Sequence, residues 1–230
     1  MGIFLDGVRG EFGVDELHFT EIFSKKGAWA SVSVERRAEI VNLMARVMEA
    51  LGLPIVHQSV SEFTILDHPK WAPPAQAGDW NLKDLSHLGL LLLCSQTSQH
   101  IRAMRDESPA DFDLPFPLYV DQRILDAGRE RRLPNWQDVI EGPTARFRNS
   151  ADLPGLQLAD FAAFVINRTQ WIAATRKPGP VSKAEEAILR AGAGLNILNL
   201  PFHQVVPDKF GRKSYEEVLS ADRVTKGLTP

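Results

Sequence analysis

The sequence has little of what several function classes require, and cysteine is the clearest case. Cys94 is the only cysteine among the 230 residues. A single cysteine excludes an intrachain disulfide framework and any zinc site built from several cysteines. Because Cys94 follows the all-leucine residues 90–93, we expect its thiol to be buried and unreactive.

Long apolar runs are also missing. No stretch approaches the roughly 20 residues that a membrane-spanning helix needs. The first seven residues, Met-Gly-Ile-Phe-Leu-Asp-Gly, lack the basic region and the longer apolar run of a secretory signal peptide. We therefore expect a cytoplasmic protein without membrane partners.

An excess of positive charge is absent as well. The 26 basic and 29 acidic residues give a formal net charge of −3, so the overall charge does not favour nucleic-acid binding. Binding to nucleic acid would then depend on a local basic groove, which the net charge does not exclude. With 44% hydrophobic and 24% charged residues, the composition is that of a globular protein. No repeat or linker divides the chain, and we predict one domain over residues 1–230 with a C-terminal extension after about residue 200.

Familiar catalytic motifs are missing too. The chain has neither a Gly-Lys-Ser/Thr phosphate loop nor a Gly-x-Ser-x-Gly nucleophile elbow. Five histidines show no metal-ligand spacing: His57, His68, His87, His100 and His203. The chemistry must therefore be sought among carboxylates.

Hydrophobic spacing predicts alternating helices and short strands, which is typical of an α/β domain. The predicted helices are residues 34–51, 82–104, 156–168 and 182–191, and the predicted strands are residues 54–60, 118–121 and 145–148. Ser33 is the expected N-cap of the first helix and Gly52 its C-terminal stop. Residues 68–79, rich in proline and glycine, are expected to form an irregular loop.

Asp160 is a carboxylate in the middle of an apolar helix. Its neighbours at helical spacing are Leu156, Ala163, Phe164 and Asn167, which form a largely apolar face. Burying an unpaired carboxylate is costly, so Asp160 requires a cation, a dense set of donors or a metal. Bonding to nearby backbone donors or to an arginine is the alternative.

Asp121 ends the predicted strand 118–121. The carboxyl ends of strands border the functional crevice of open α/β sheets. Two carboxylates meeting there, Asp121 and Asp160, could bind a hard divalent cation through oxygen. Taken alone, Asp121 is better interpreted as a helix cap or turn residue.

A third polar group precedes the first long helix. Glu16, His18 and Thr20 alternate with Leu17 and Phe19, which predicts an extended segment with the three polar side chains on one face. Histidine and glutamate on one face suit metal ligation or acid–base chemistry. The alternative is a solvated strand face.

These segments together resemble the family named domain of unknown function 3800. The resemblance rests on Glu-Leu-His-Phe-Thr-Glu at residues 16–21 with Trp29, on Tyr-Val-Asp at 119–121 and on Leu-Gln-Leu-Ala-Asp at 156–160, and it spans about residues 12–170. It implies a ribonuclease H-like α/β fold with a mixed central sheet flanked by helices. It also implies a carboxylate cluster that binds Mg²⁺ or Mn²⁺ for phosphodiester hydrolysis.

Carried over by position, the resemblance makes Asp121 and Asp160 metal ligands and places Glu16 and His18 in the same crevice, with Gln157 as a supporting polar group. We further predict Glu16 as a metal ligand and Gln157 as a substrate-binding residue. Family members usually open with a strand ending in Asp-Glu-Ser-Gly, for which this chain has no counterpart before Glu16. The first strands of the fold are therefore expected to be missing. The exposed sheet edge would invite a homodimer or a strand-donating partner.

The leading hypothesis is a metal-dependent nuclease. In it Asp121, Asp160, Glu16 and His18 form the catalytic group, and Arg146 and Arg148 contact phosphates, although a surface role for both arginines stays open. The first alternative is a catalytically degenerate binding or assembly module that keeps the fold. The second is a hydrolase of a small phosphorylated metabolite, which the absence of a basic groove beside the acids would favour.

Overall fold

The computed structural model describes residues 2–60, 75–133, 136–175, 179–198 and 200, with side chains from residue 6 onward. These residues fall into two compact units, the first drawn from Met1–His57 and Asp113–Leu198 and the second from Gln58–Phe112 and Asn199–Pro230. The extension predicted after about residue 200 lies outside the described residues. Each unit is treated separately below.

Helices and short strands together make a mixed α/β protein, as predicted. The helices are α1 (Gly2–Phe12), α2 (Phe19–Ser24), α3 (Val34–Ala50), α4 (Leu85–Glu107), α5 (Pro154–Thr175) and α6 (Lys183–Gly194). The strands are β1 (Gln76–Ala77), β2 (Trp80–Asn81), β3 (Phe116–Asp121), β4 (Glu130–Arg132) and β5 (Ile140–Arg148). The four long predicted helices are confirmed, with ends within three residues of the prediction except that α5 extends seven residues past residue 168.

Helix starts follow from local capping. The Ser33 side chain accepts the Arg36 N–H at 3.2 Å and caps α3, as predicted, and Gly52 at φ +59° follows its end. Ser182 and Glu185 form a reciprocal capping box at the start of α6.

The core of the first unit is built from helices. The apolar faces of α2, α3, α5 and α6 pack together with part of α1, and fully buried side chains include Phe19, Ile22, Trp29, Ile40, Met44, Phe161, Val165 and Ile188. Phe19 meets Phe161 edge-on, with ring centroids 4.7 Å apart. This contact joins α2 to α5, the helix that carries Asp160.

A three-stranded mixed sheet in the order β3-β5-β4 completes the first unit. β3 runs parallel to β5 and β4 antiparallel to it, and Asp121 is the register partner of Arg148. The carboxyl ends of the two parallel strands therefore coincide. Helix α5 lies against β3 at this sheet. The strands predicted over residues 118–121 and 145–148 are confirmed, while the ribonuclease H-like arrangement stays a prediction.

Register also assigns the two faces of the sheet. One face carries Leu118, Val120, Ala145 and Phe147, of which Ala145 and Phe147 are fully buried. The other face carries Tyr119, Asp121, Arg146 and Arg148. All of the sheet residues proposed for function lie on this second, polar face.

The second unit contains a short hairpin and a long helix. β1 pairs antiparallel with β2, and Asp84 caps α4 by accepting the N–H groups of Ser86 and His87. Cys94 is buried on α4, as predicted. Among the described residues, no helix combines the length and apolarity needed to cross a membrane.

Three local predictions need correction. Residues 54–60 do not form a strand, since the pairing described there is a single bridge between Ile55 and Ile197. Residues 16–20 are not one extended segment, because His18 has an extended backbone but α2 begins at Phe19, and Phe19 and Ile22 are buried on this helix. The end of the predicted loop, residues 76–79, belongs to the β1–β2 hairpin, and residues 68–74 lie outside the described residues.

Candidate active site

Asp121 lies where the parallel strands end. Its Oδ1 accepts the Gln122 N–H at 2.9 Å, and its Oδ2 lies 3.3 Å from the Arg123 Nε. The first contact, with the next residue along the chain, is the interaction expected if Asp121 is a cap or turn residue. The second shows that the strand-end carboxylate already attracts a cation.

Asp160 lies on α5 and is partly buried. Burial raises the pKa of its carboxyl, the charges of Arg123 and His18 lower that pKa, and the charges of Asp121 and Glu16 raise it again. Within the described residues, neither carboxylate oxygen of Asp160 accepts a hydrogen bond or forms an ion pair. The backbone donors or direct arginine contact considered as an alternative are therefore not seen in the described part of the chain.

These electrostatic effects indicate that the four predicted catalytic residues lie in the same region of the first unit. Asp121, Asp160, Glu16 and His18 come from β3, from α5 and from the segment between α1 and α2. Together with Arg123, this group contains three carboxylates, one guanidinium and one imidazole, so its negative charge exceeds its positive charge. We call these four residues with Arg123 the acid cluster.

Glu16 and His18 lie close to each other although the segment before α2 is not part of a strand. Glu16 Oε1 accepts a hydrogen bond from the Ser150 hydroxyl, and Glu16 Oε2 lies 3.5 Å from His18 Nε2. His18 is the N-cap residue of α2 but makes no capping bond with its side chain. Its imidazole is 42% exposed and accessible to a ligand.

Gln157 supports this arrangement from the first turn of α5. It is fully buried, its Nε2 donates to the Ser150 carbonyl at 2.9 Å, and its Oε1 accepts the Leu17 N–H at 3.5 Å. The amide therefore joins the backbone beside Glu16 to the backbone of Ser150. Both ends of the Gln157 amide thus contact protein backbone, and its role toward a substrate stays a prediction.

The two arginines predicted to contact phosphates are engaged elsewhere. Arg146 donates to Glu141 at 2.8 Å and lies 3.7 Å from Glu130, and the contact with Glu141 is the main cause of its raised pKa. The Arg148 guanidinium lies 5.9 Å from the centre of the Tyr119 ring. Among described cations, those that act on Asp160 are Arg123 and His18.

Sequence reasoning missed Arg123 and Ser150. Arg123 follows the strand-end acid by two positions, and a search for the cation nearest Asp121 in sequence would have found it. Ser150 has no comparable signal, since it and Glu16 are 134 positions apart.

The donor chemistry of the acid cluster suits a hard divalent cation, because Asp121 and Asp160 offer carboxylate oxygens. Within the described residues, no group of three or more His, Cys, Asp or Glu side chains is arranged closely enough to hold a metal ion by itself. Comparisons of the chain with protein-family models, with curated proteins and with solved structures found no match. The family resemblance therefore stays a prediction from the quoted motifs.

Proposed function

We propose that this chain is a ribonuclease H-like, divalent-metal-dependent hydrolase that cleaves phosphodiester bonds of a nucleic acid. The observation that carries the proposal is Asp160, a partly buried carboxylate with a raised pKa beside a second carboxylate. Folding places this charge where burial disfavours it, and a bound cation would remove that cost. Perturbed carboxyl groups of this kind are common at functional sites.

Asp121 and Asp160 would hold Mg²⁺ or Mn²⁺. When bound, such an ion lowers the pKa of water and offsets negative charge on a reacting phosphate. Arg123 would neutralise part of the remaining charge and orient Asp121. The Glu16–His18 pair would move the proton of the attacking water.

The test is cleavage of labelled single- and double-stranded DNA and RNA with Mg²⁺, with Mn²⁺ and with EDTA. We expect metal-dependent cleavage that falls by about 100-fold or more in Asp160→Asn and in Asp121→Asn. The matched control is Asp152→Asn, which removes an exposed carboxylate from the loop before α5. Cleavage in EDTA, or full activity of Asp160→Asn, contradicts the proposal.

A small phosphorylated metabolite is the second candidate substrate, and the engagement of Arg146 favours it. An arginine held by Glu141 and Glu130 is less available to a nucleic acid backbone. Hydrolysis of a small phosphodiester such as bis(p-nitrophenyl) phosphate, without cleavage of any oligonucleotide, would select this candidate. If calorimetry detects no binding of Mn²⁺, the non-catalytic binding or assembly module is favoured instead.

A sheet-mediated dimer also belongs to the proposal. β3 and β4 are the edge strands of the described sheet. Edge strands present unpaired backbone groups to a partner strand. Sedimentation at micromolar concentration tests this, and a monomer at all concentrations contradicts a homodimer.

A further inference from the structure

The acid cluster contains two kinds of carboxylate, which differ in their contacts. Within the described residues, Asp160 has no hydrogen bond, whereas both oxygens of Glu16 face protein groups, Ser150 on one side and His18 on the other. A carboxylate that accepts from a serine and faces an imidazole is already partnered. It would have to give up these contacts to bind a metal, and one of them is made with a buried residue, Ser150. Both oxygens of Asp121 also face partners, but these are the N–H of the next residue and Arg123, whose side chain is exposed and can move away.

From this difference we propose that Glu16 is a positioning residue for His18 and not a metal ligand, an inference that rests on the proposed function. Glu16 would hold the imidazole so that its other nitrogen, Nδ1, faces the reacting water. The inference thus removes Glu16 from the predicted metal ligands and assigns Nδ1 of His18 as the atom that accepts the proton of the water.

The surroundings of Glu16 are built to keep it in place. Ser150 is only 4% exposed, and its hydroxyl and its carbonyl are used by Glu16 and Gln157 respectively. The Gln157 amide also binds the N–H of Leu17, the residue next to Glu16. The segment that contains Glu16 is therefore held at two points, by Ser150 in the loop before α5 and by Gln157 on α5. Since Gln157 is three residues before Asp160 on the same helix, these contacts fix the position of the Glu16 carboxylate relative to Asp160.

The chemical consequence concerns the neutral imidazole. A carboxylate facing Nε2 favours the tautomer with the proton on Nε2, as an acid that orients a catalytic histidine does. The lone pair of Nδ1 then takes a proton from water while the water oxygen bonds to phosphorus. The bond from phosphorus to the leaving oxygen breaks, and the leaving oxygen is protonated by solvent. The charge of His18 lowers the pKa of the Asp160 carboxyl, so the imidazole is within electrostatic range of that acid.

The inference is tested by separating metal binding from proton transfer in one set of full-length variants. Glu16→Gln keeps the size of the side chain and removes its charge. Glu21→Gln is the matched control, because Glu21 is exposed on α2. For each variant we would measure Mn²⁺ affinity by calorimetry, phosphodiester cleavage, and the His18 tautomer by long-range ¹H–¹⁵N NMR at a fixed pH of about 8.

In Glu16→Gln we expect Mn²⁺ affinity within about twofold of wild type, cleavage reduced by about 100-fold, and a His18 ring shifted toward the Nδ1–H tautomer. Ser150→Ala should shift the tautomer in the same direction with a smaller loss of cleavage, which keeps the test decisive if Glu16→Gln folds poorly. Glu21→Gln should resemble wild type in every measurement.

Two results would overturn the inference. One is a loss of Mn²⁺ affinity in Glu16→Gln as large as that in Asp160→Asn, which would make Glu16 a ligand. The other is an unchanged His18 tautomer in both Glu16→Gln and Ser150→Ala. Wild-type protein that neither binds Mn²⁺ nor cleaves a phosphodiester refutes the proposed function instead, and the tautomer measurement still decides whether Glu16 positions His18.

Discussion

Gln157 offers the sharpest test of how the candidate site is held, because its side chain is fully buried and uses both ends of its amide. Replacement by alanine removes the donor to the Ser150 carbonyl and the acceptor of the Leu17 N–H. Both backbone groups lie in the part of the fold that positions Glu16. The substitution should therefore reduce the free energy of unfolding and loosen the site together.

The expected magnitude follows from the two contacts. A buried polar group left without its partner costs about 1–3 kcal/mol, so we assign about 2 kcal/mol to the 2.9 Å contact with Ser150 and about 1 kcal/mol to the 3.5 Å contact with Leu17. The small cavity left by the shorter side chain adds about 1 kcal/mol. The free energy of unfolding should fall by about 3–4 kcal/mol.

Urea denaturation followed by tryptophan fluorescence measures this change. With an m-value of about 3 kcal/mol/M, the midpoint should fall by about 1 M. Gln170→Ala is the matched control, since Gln170 is exposed on the same helix and its removal should change the stability by less than about 0.5 kcal/mol. If the two variants differ by less than about 1 kcal/mol, the amide does not hold the site as described.

Further predictions concern charge, packing and reactivity. In metal-free protein, Asp160→Asn should raise Tm by about 2–4 °C at pH 7, because the raised pKa of Asp160 means that folding disfavours its ionised form. The difference should vanish in calorimetry near pH 3, where the carboxyl is protonated in both states, and a lower Tm for the variant at pH 7 would contradict this. Gly192→Ala should cost about 1–3 kcal/mol in urea denaturation, because the new Cβ would lie 2.8 Å from Thr169 Oγ1. Gly194→Ala on the same helix, with no atom within 4 Å of its Cβ, should be neutral or slightly stabilising, and equal costs for the two variants would contradict the packing argument. Burial raises the pKa of the Cys94 thiol to about 12 from 9.0, so at pH 8 it should react with Ellman's reagent about 1000-fold more slowly than in urea-unfolded protein, and similar rates would contradict its burial.

Helix positions were predictable because capping and periodicity are local. Ser33 and Gly52 bound α3, and Ser182 begins α6, all from signals within a few residues of each end. The strand ending at Asp121 was equally local, as an apolar run between prolines and a polar turn. Because β3 and β5 are parallel neighbours, their carboxyl ends lie at the same edge of the sheet, and Asp121 is therefore next to the end of β5.

Short segments were less predictable, because a few residues fit two periods. Leu17 and Phe19 satisfy an alternating pattern and both are buried, yet α2 begins at Phe19, whose ring packs against Phe161 on α5. Residues 54–60 are rich in strand-forming residues, but the pairing described there is the Ile55–Ile197 bridge. In both segments the packing partner decided the backbone conformation.

By itself, the order of residues determined that Asp160 would lie on an apolar helix and Asp121 at a strand end, since both depend only on near neighbours. Which groups surround these acids was decided by tertiary structure. Glu16 accepts a hydrogen bond from Ser150, 134 positions away, and the charge of Arg123, in the turn after β3, lowers the pKa of Asp160 on α5. Electrostatic interaction depends on distance in space and on burial, and neither is a property of neighbouring residues along the chain.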